Sequence, residues 1–454
     1  MRGSEDGSTN GLRALLREFL ALERDVVVLS VAMFAFSLGF QMTSRYVPRY
    51  MSVLGAGAVA IGLFGTFGNL IGAVYPYPGG AVSDRIGSRL ALTLFGLTST
   101  LGFVIWLFAD RFGVVTVPPV GTTVELLGRE LVLGWLEPAS IPVGIFLGVV
   151  FAQAWKSFGL GATFAVVKQA LAPERLAIGF ASTETFRRTA FLLGPLFAAG
   201  VLSAFAFETG FRLLLAVAAA FGLGATLAQH VLYDVGEDRL GTSFEGVSTV
   251  VSDLRAMPPA LRPLLAADTL VRFANGMIYV FVVIVVTEFL AVGARLPAVG
   301  RLSPDAYFGV LLAIEMLVAL VVMVPVSRLS RRVGLKPVVA LGFGVYAVFP
   351  ALLIHAPESA AALALLFAFS GLRFAGLPAH KALIVGPAEA GTGGRVTGSY
   401  YLVRNAVVVP SAAIGGGIYA VSPETAFLGA TAIGLVGFGL FLVFGREFEA
   451  ATAS

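Results

Sequence analysis

What most limits the folds open to this chain is a length that keeps returning. Apolar runs of about 20 residues or more, each enough to cross a hydrocarbon layer of roughly 30 Å, recur from near residue 26 to near residue 445. Lipid offers no water to backbone N–H and C=O groups, so such runs are helices whose hydrogen bonds close within the segment. They predict twelve transmembrane helices near residues 26–48, 57–79, 90–109, 143–171, 178–204, 211–232, 263–291, 306–326, 337–355, 360–385, 396–420 and 426–445. Hydrophobic types make up 57% of the 454 residues and charged types only 13%, which excludes an array of soluble domains. The fold class is all-α integral membrane.

Twelve spans return both termini to one side. With the N-terminus inside, 18 basic residues fall on inner segments and 7 on outer ones, while Lys156, Lys168, Arg272, Arg373, Lys381 and Arg404 lie within spans. That imbalance predicts cytoplasmic termini in a multi-pass protein of the cell membrane. In the cytoplasmic segment 1–25, Leu12, Leu15, Leu16, Phe19 and Leu20 share one helical face opposite Arg13 and Arg17. A helix lying on the inner surface and an early extension of the first span fit that pattern equally. The first run is too long for a cleavable leader, so none is expected. The net charge of +4 reflects the inner arginines, and no nucleic-acid partner is expected. There is no cysteine, and His230, His355 and His380 lie far apart, which excludes disulfides and thiol chemistry and leaves no metal-ligand spacing. No cofactor is expected.

Between the second and third runs stands Gly80-Ala-Val-Ser-Asp84-Arg85-Ile-Gly87-Ser-Arg89. Its glycines permit a sharp turn and close backbone approach, and its arginines mark the inner surface. Asp84 is placed to cap a helix N-terminus or to pair with arginine. Ser327–Lys336, S-R-L-S-R-R-V-G-L-K, repeats the segment. Laying Gly334 on Gly87 pairs Ser330 with Ser83, Arg332 with Arg85 and Lys336 with Arg89, while Arg331 falls on Asp84 and Ser327 on Gly80. Each loop is followed by a second anchor, Arg175-Leu-Ala-Ile-Gly179 or Arg395-Val-Thr-Gly398, and then by a proline, Pro195 or Pro410. The chain therefore reads as two six-helix halves in tandem, 26–232 and 263–445. A cytoplasmic linker, 233–262, joins them with a short surface helix at Val247–Met257, and a tail, 446–454, follows. Gly87 to Arg175 is 88 residues but Gly334 to Arg395 is 61, so 27 extra residues sit mostly in Asp110–Pro142 on the outer face. There Val124–Leu133 predicts a hairpin around Gly128; lid, partner site and inert decoration all suit it.

The Gly80–Arg89 segment resembles the signature loop between helices 2 and 3 of the major facilitator superfamily. Gly80, Asp84, Arg85, Gly87 and Arg89 match, and Ser88 stands where the family usually has a basic residue. Gly194-Pro195 with Gly200 partly resembles the family's antiporter motif, although Ala198 and Ala199 replace usual glycines. Pro173-Glu-Arg175 is similar to the family's loop between helices 4 and 5. The resemblance covers nearly the whole chain. It implies two pseudo-symmetric bundles that rock about a central site, with a small-molecule substrate and no catalytic residues. It also implies a gate at the loop, in which Asp84, with Arg85 and Arg89, pairs across the halves when the inner side is closed. Arg331 and Arg332 mark the second loop, whose missing acid leaves a matching gate open to question.

Charges inside spans are costly and mark function by default. Lys156, Glu315 and Arg373 fall near the middle of spans, and Asp268 and Arg272 are four apart on one face with Asn275 close behind. Glu184, Arg187, Arg404, His380, Lys381 and Lys168 lie nearer the inner surface. Structural readings stand beside the functional ones. Asp268 with Arg272 suits an ion pair that holds the bundle, Lys168 and Lys381 suit snorkelling, Arg187 and Arg188 suit cytoplasmic-edge charges, and His380 suits packing. A buried pair of Glu315 with Lys156 or Arg373 competes with a substrate contact. Glu315, the one acid at the centre of a span, is the expected proton-coupling group, with Asp268 or Glu184 next. A membrane enzyme lacks a clustered site, and a receptor or scaffold lacks a large soluble domain, so a monomeric secondary transporter is the favoured class. Lys156, Arg272, Arg373 and Arg404 outnumber nearby acids and favour an anionic substrate; an aromatic-rich cavity with one carboxylate would instead suit proton-driven export of lipophilic molecules.

Overall fold

The structure, a computed structural model, describes residues 24–75, 82–83, 85–126, 129–135, 138–157, 167, 176–233, 258–259, 261–296, 300–385 and 393–447. Gly80, Asp84, Lys168, the 12–20 face and the Val247–Met257 helix lie outside the described residues. Among the described residues, nine helical stretches are long and apolar enough to cross a membrane, and Ala58–Val74 and Val143–Ser157 are shorter apolar helices. The helix Leu176–Ala204 is longer than a bilayer needs and carries Glu184, Arg187 and Arg188.

In the first half of the chain the helices are α1 (Arg24–Thr43), α2 (Val47–Val53), α3 (Ala58–Val74), α4 (Ser88–Leu107), α5 (Val143–Ala152), α6 (Leu176–Ala204) and α7 (Phe207–Leu232). The second half holds α8 (Leu261–Ile278), α9 (Pro304–Val333), α10 (Leu335–Ile354), α11 (Ala360–Gly371), α12 (Leu377–Val385), α13 (Gly393–Val408), α14 (Ser411–Val421) and α15 (Pro423–Phe444). Each half packs mainly on itself, α1 on α6 and α7, and α15 on α8 and α10. Two seams join the halves, α9 on α6 and α14 on α3.

The repeat read from sequence sits on these elements. Gly87 and Gly334 precede α4 and α10 with φ of 83° and 88°, a left-handed conformation open to glycine and costly to other residues. Arg85 and Arg332 are exposed at this loop end, and Arg89 Nε donates to the His230 carbonyl at 2.8 Å. The second loop lacks an acid of its own, but Glu447, just beyond α15, accepts from Leu335 N (2.7 Å) and Lys336 N (2.9 Å). A carboxylate thus satisfies orphan N–H groups at the positive end of α10. Arg331 continues the α9 backbone.

The paired prolines mark the two seams. Pro195 lies in α6 with its carbonyl so near Gly309 of α9 that a Cβ there would stand 2.6 Å from it. Pro410 breaks the eleventh span between α13 and α14, and the freed Ala413 N–H crosses to Thr66 Oγ1 at 2.8 Å. Beside it, a Cβ on Gly62 would stand 2.5 Å from the Ala412 carbonyl. Glycine allows the helices to touch through backbone at both seams.

The other end of the array carries strands. β1 (Val114–Val117) pairs antiparallel with β4 (Ala139–Pro142), and β2 (Val120–Leu126) with β3 (Arg129–Trp135), closing at Leu126↔Arg129. This is the hairpin expected within 110–142, extended by a second ladder, and β3 reaches α14 of the second half. A further hairpin, β5 (Ala294–Leu296) with β6 (Gly300–Leu302), was not expected from sequence. Rings plug this end between the halves. Tyr46 meets Phe308 edge-on at 5.5 Å, and Phe207 stacks on Phe211 at 5.5 Å.

Candidate functional site

α8 places Asp268, Arg272 and Asn275 on one face, as their spacing requires, and three further helices converge on it. Asp268 has no exposed surface. Its carboxylate receives Arg272 Nε at 3.3 Å, Arg404 Nη1 at 3.1 Å and the Tyr400 hydroxyl at 3.2 Å, and His380 Nε2 stands 3.4 Å away. Tyr400 and Arg404 are one turn apart on α13, and His380 comes from α12. Arg272 also donates to the Tyr346 hydroxyl at 3.0 Å, and Arg404 donates to Asn405 Oδ1 at 3.2 and 3.0 Å. A buried carboxylate held by two guanidiniums leaves the cluster one positive charge in excess while His380 is neutral.

Both guanidiniums line a cavity of about 270 Å³ together with Asn69 and Gly65 of the first half and Asn275, Asn405, Tyr279 and Ala412 of the second. Arg272 therefore does two things at once: it is the ion-pair partner that the i,i+4 spacing announced, and it is a wall of the cavity. Asn275, singled out beside it, joins that wall.

Glu315 forms a second centre. Arg373 Nη2 lies 2.7 Å from its Oε1, Ser370 donates to the same oxygen, and Arg45 Nη2 approaches Oε2 at 3.8 Å. Arg373 reaches it because the tenth span tightens to a 3-10 turn at Leu372–Phe374 between α11 and α12. The Tyr346 ring separates the two centres, with Arg272 4.9 Å and Arg373 5.1 Å from its centroid. Of the two expected partners of Glu315, Arg373 is present and Lys156 is not. Lys156 is exposed, its ammonium 5.9 Å from the Phe40 ring, with no ion pair among the described residues. The cation that sequence reasoning passed over is Arg45. It lies near the end of the predicted span 26–48, in the turn after α1, and bends over Tyr279 at 4.1 Å to reach Glu315.

Closer to the strand end, Arg49 binds Glu288 at 2.6 Å and Asp305 at 3.2 Å, Ser52 donates to Glu288 at 2.6 Å, and Tyr46 donates to the Asp305 carbonyl at 3.0 Å. Glu288 sits on a π-turn, Val285–Phe289, after a 3-10 turn at Tyr279–Phe281 has broken the seventh span. Among the described residues, every ion pair that crosses between the halves (Arg45–Glu315, Arg49–Glu288, Arg49–Asp305) lies at Glu315 or toward the strand end. Glu184 is paired with Arg187 at 2.7 Å and Arg188 at 2.9 Å within α6, and Lys381 is exposed.

Comparisons with known proteins bear on this geometry. No protein-family profile matches the chain. In sequence it is 22% identical over 428 residues to an uncharacterized MFS-type transporter of Methanocaldococcus jannaschii, covering 93% of this chain and 95% of that one. In structure it is similar to the nucleoside transporter NupG, with TM-score 0.68 and 11% identity, over 94% of this chain and all of that one. It is also similar to a POT family transporter in complex with 5-aminolevulinic acid, with TM-score 0.69 and 15% identity, over 93% of this chain and 96% of that one. The chain is thus similar in sequence to a protein named as an MFS-type transporter and shares the fold of solved membrane transporters.

Proposed function

We propose that this chain is a monomeric secondary active transporter that moves a small anionic solute by alternating access, with protons as the coupling ion. Its architecture on this reading is twelve spans in two pseudo-symmetric six-helix bundles, with both termini in the cytoplasm of a cell whose plasma membrane it crosses. The observation that carries the anionic reading is the charge of the membrane interior. Four cations, Arg45, Arg272, Arg373 and Arg404, stand against two carboxylates, Asp268 and Glu315. In a medium of low dielectric that excess calls for a mobile counter-ion, and the 270 Å³ cavity brings Arg272 and Arg404 to a place where one can sit.

The strand end is the outer side by the distribution of basic residues, so the seams, the aromatic plug and the Arg49 pairs describe a state closed to the outside. The opposite gate belongs to the loop of Gly80, Asp84, Arg85, Gly87 and Arg89, with Arg331 and Arg332 at the second loop. Glu315 is the coupling acid on this reading, because it holds a cation from each half. Its protonation would release Arg45 and free the halves to rock.

The test begins with thermal-shift measurements on reconstituted protein against carboxylates, inorganic phosphate, neutral analogues and lipophilic cations. The stabilising solute is then followed in proteoliposomes. Glu315→Gln should lose uphill, proton-driven uptake and retain counterflow exchange. Stabilisation by lipophilic cations alone would overturn the anionic reading in favour of export of drug-like molecules. Uphill uptake by Glu315→Gln would place coupling elsewhere.

A further inference from the structure

Asp268 is more than a strut for its neighbours. It is buried without exposed surface, yet the two side chains that neutralise it are those that line the cavity. Arg272 and Arg404 keep part of their surface, with side chains 24% and 17% exposed, while the carboxylate between them has none. The carboxylate thus occupies, from behind, guanidinium nitrogens that a ligand would approach from the front. We propose that Asp268 is an internal anion that competes with the substrate for Arg272 and Arg404, and that the Asp268–His380 pair takes up a proton when the substrate displaces it. The inference rests on the anionic reading above and specifies how the site is loaded.

The chemistry follows from charge conservation in a dry place. When a carboxylate-bearing monoanion draws Arg272 and Arg404 forward, Asp268 keeps its charge and loses its counter-ions, which a buried site does not tolerate. The remaining titratable neighbour is His380, whose Nε2 stands 3.4 Å from Asp268 and makes no hydrogen bond. A proton taken from water onto the imidazole lets that N–H donate to the carboxylate. Two guanidiniums and one carboxylate sum to one positive charge before loading, and the added anion and proton cancel, so loading leaves that charge unchanged. The charged or titratable groups that face His380 among the described residues fit this account. Asp268 and Arg272 come from α8, Tyr346 from α10, Arg373 from the 3-10 turn before α12, and Tyr400 and Arg404 from α13. The two buried acids then divide the labour: Glu315, bound to both halves, governs rocking, and Asp268, bound within one half, governs loading.

The experiment is isothermal titration on protein in nanodiscs at pH 7, with benzoate, succinate and inorganic phosphate as probes and neutral benzamide as control. Asp268→Asn removes the competitor but keeps the shape, so it should bind benzoate about tenfold more tightly than the native chain, as expected when a competent state goes from a tenth populated to fully populated. Wild-type binding, measured in two buffers of different ionisation enthalpy, should take up about one proton per benzoate, and His380→Gln should take up none. Equal or weaker binding by Asp268→Asn overturns the proposal, and so does wild-type binding without proton uptake. If neither protein prefers the anions to benzamide, it is the anionic reading that falls, and this inference falls with it. Should Asp268→Asn fail to fold, the wild-type proton count and its loss in His380→Gln decide alone.

Discussion

Asp268 and Glu315 are the two acids at the heart of the second half, each held by two arginines, and they differ in where those arginines come from. Asp268 draws Arg272, Arg404, Tyr400 and His380 from the second half alone. Glu315 draws Arg373 from the second half but Arg45 from the first. A network confined to one rigid unit can respond to what enters the cavity without moving the units. A network shared between units changes energy only when they move. On the readings proposed above, similar chemistry serves binding at one centre and conformational change at the other.

The largest expected effect comes from stripping the confined network. The double substitution Arg272→Met/Arg404→Met takes both guanidiniums from the buried Asp268 and leaves only His380 to answer its charge, which should destabilise the protein by about 3–5 kcal/mol. Chemical unfolding in nanodiscs measures this, and adding Asp268→Asn should restore most of the loss. No loss, or no restoration, would mean that Asp268 does not carry its charge in the folded protein.

A smaller effect, of a different kind, comes from cutting the shared network. Arg45→Gln leaves Glu315 with Arg373 and Ser370, so the fold should hold, but the link across the halves is gone. About 1.4 kcal/mol lost from the outside-closed state shifts its population about tenfold. Because the chain has no cysteine, Ser52→Cys gives a clean labelling site beside the seam. Its labelling by an impermeant reagent should quicken in the Arg45→Gln background, and Glu315→Gln should add little to it, because the two act as a pair. Additive effects would dissolve the shared centre.

The smallest effect tests whether depth matters. Arg49 also crosses the halves, but its side chain is 21% exposed and that of Glu288 is 35% exposed. Arg49→Gln should speed the same labelling through a loss of about 0.5–1 kcal/mol. Raising the salt concentration should erase that difference while leaving the Arg45 effect in place.

Much of this was readable in the chain. Lipid forces apolar runs into helices, so spans such as 337–355 and 426–445 lie within a few residues of the observed Leu335–Ile354 and Pro423–Phe444. The i,i+4 rule paired Asp268 with Arg272, and the loop repeat matched Gly334 to Gly87, which share one backbone conformation. The rest depended on contacts with no local signature. His380 and Tyr400 meet Asp268 across more than a hundred residues of sequence. Arg45, at the end of the span 26–48, gave no signal of its own until the turn after α1 bent it over Tyr279. The acid missing from the second loop is supplied as Glu447 from near the chain's end, where no motif would look for it. The 3-10 turn at Tyr279–Phe281 holds neither proline nor glycine, so no residue within it announces the break.

The seams where Gly62 meets Ala412 and Gly309 meets Pro195 have an electrical meaning. An energised membrane is a charged capacitor, and a carrier that reloads protons must never connect its two plates. Backbone pressed on backbone narrows the room for a thread of water along which protons could hop. A single methyl group there would have to push the joint apart, and on the proton-coupled reading proposed above the membrane's voltage would be spent through the gap.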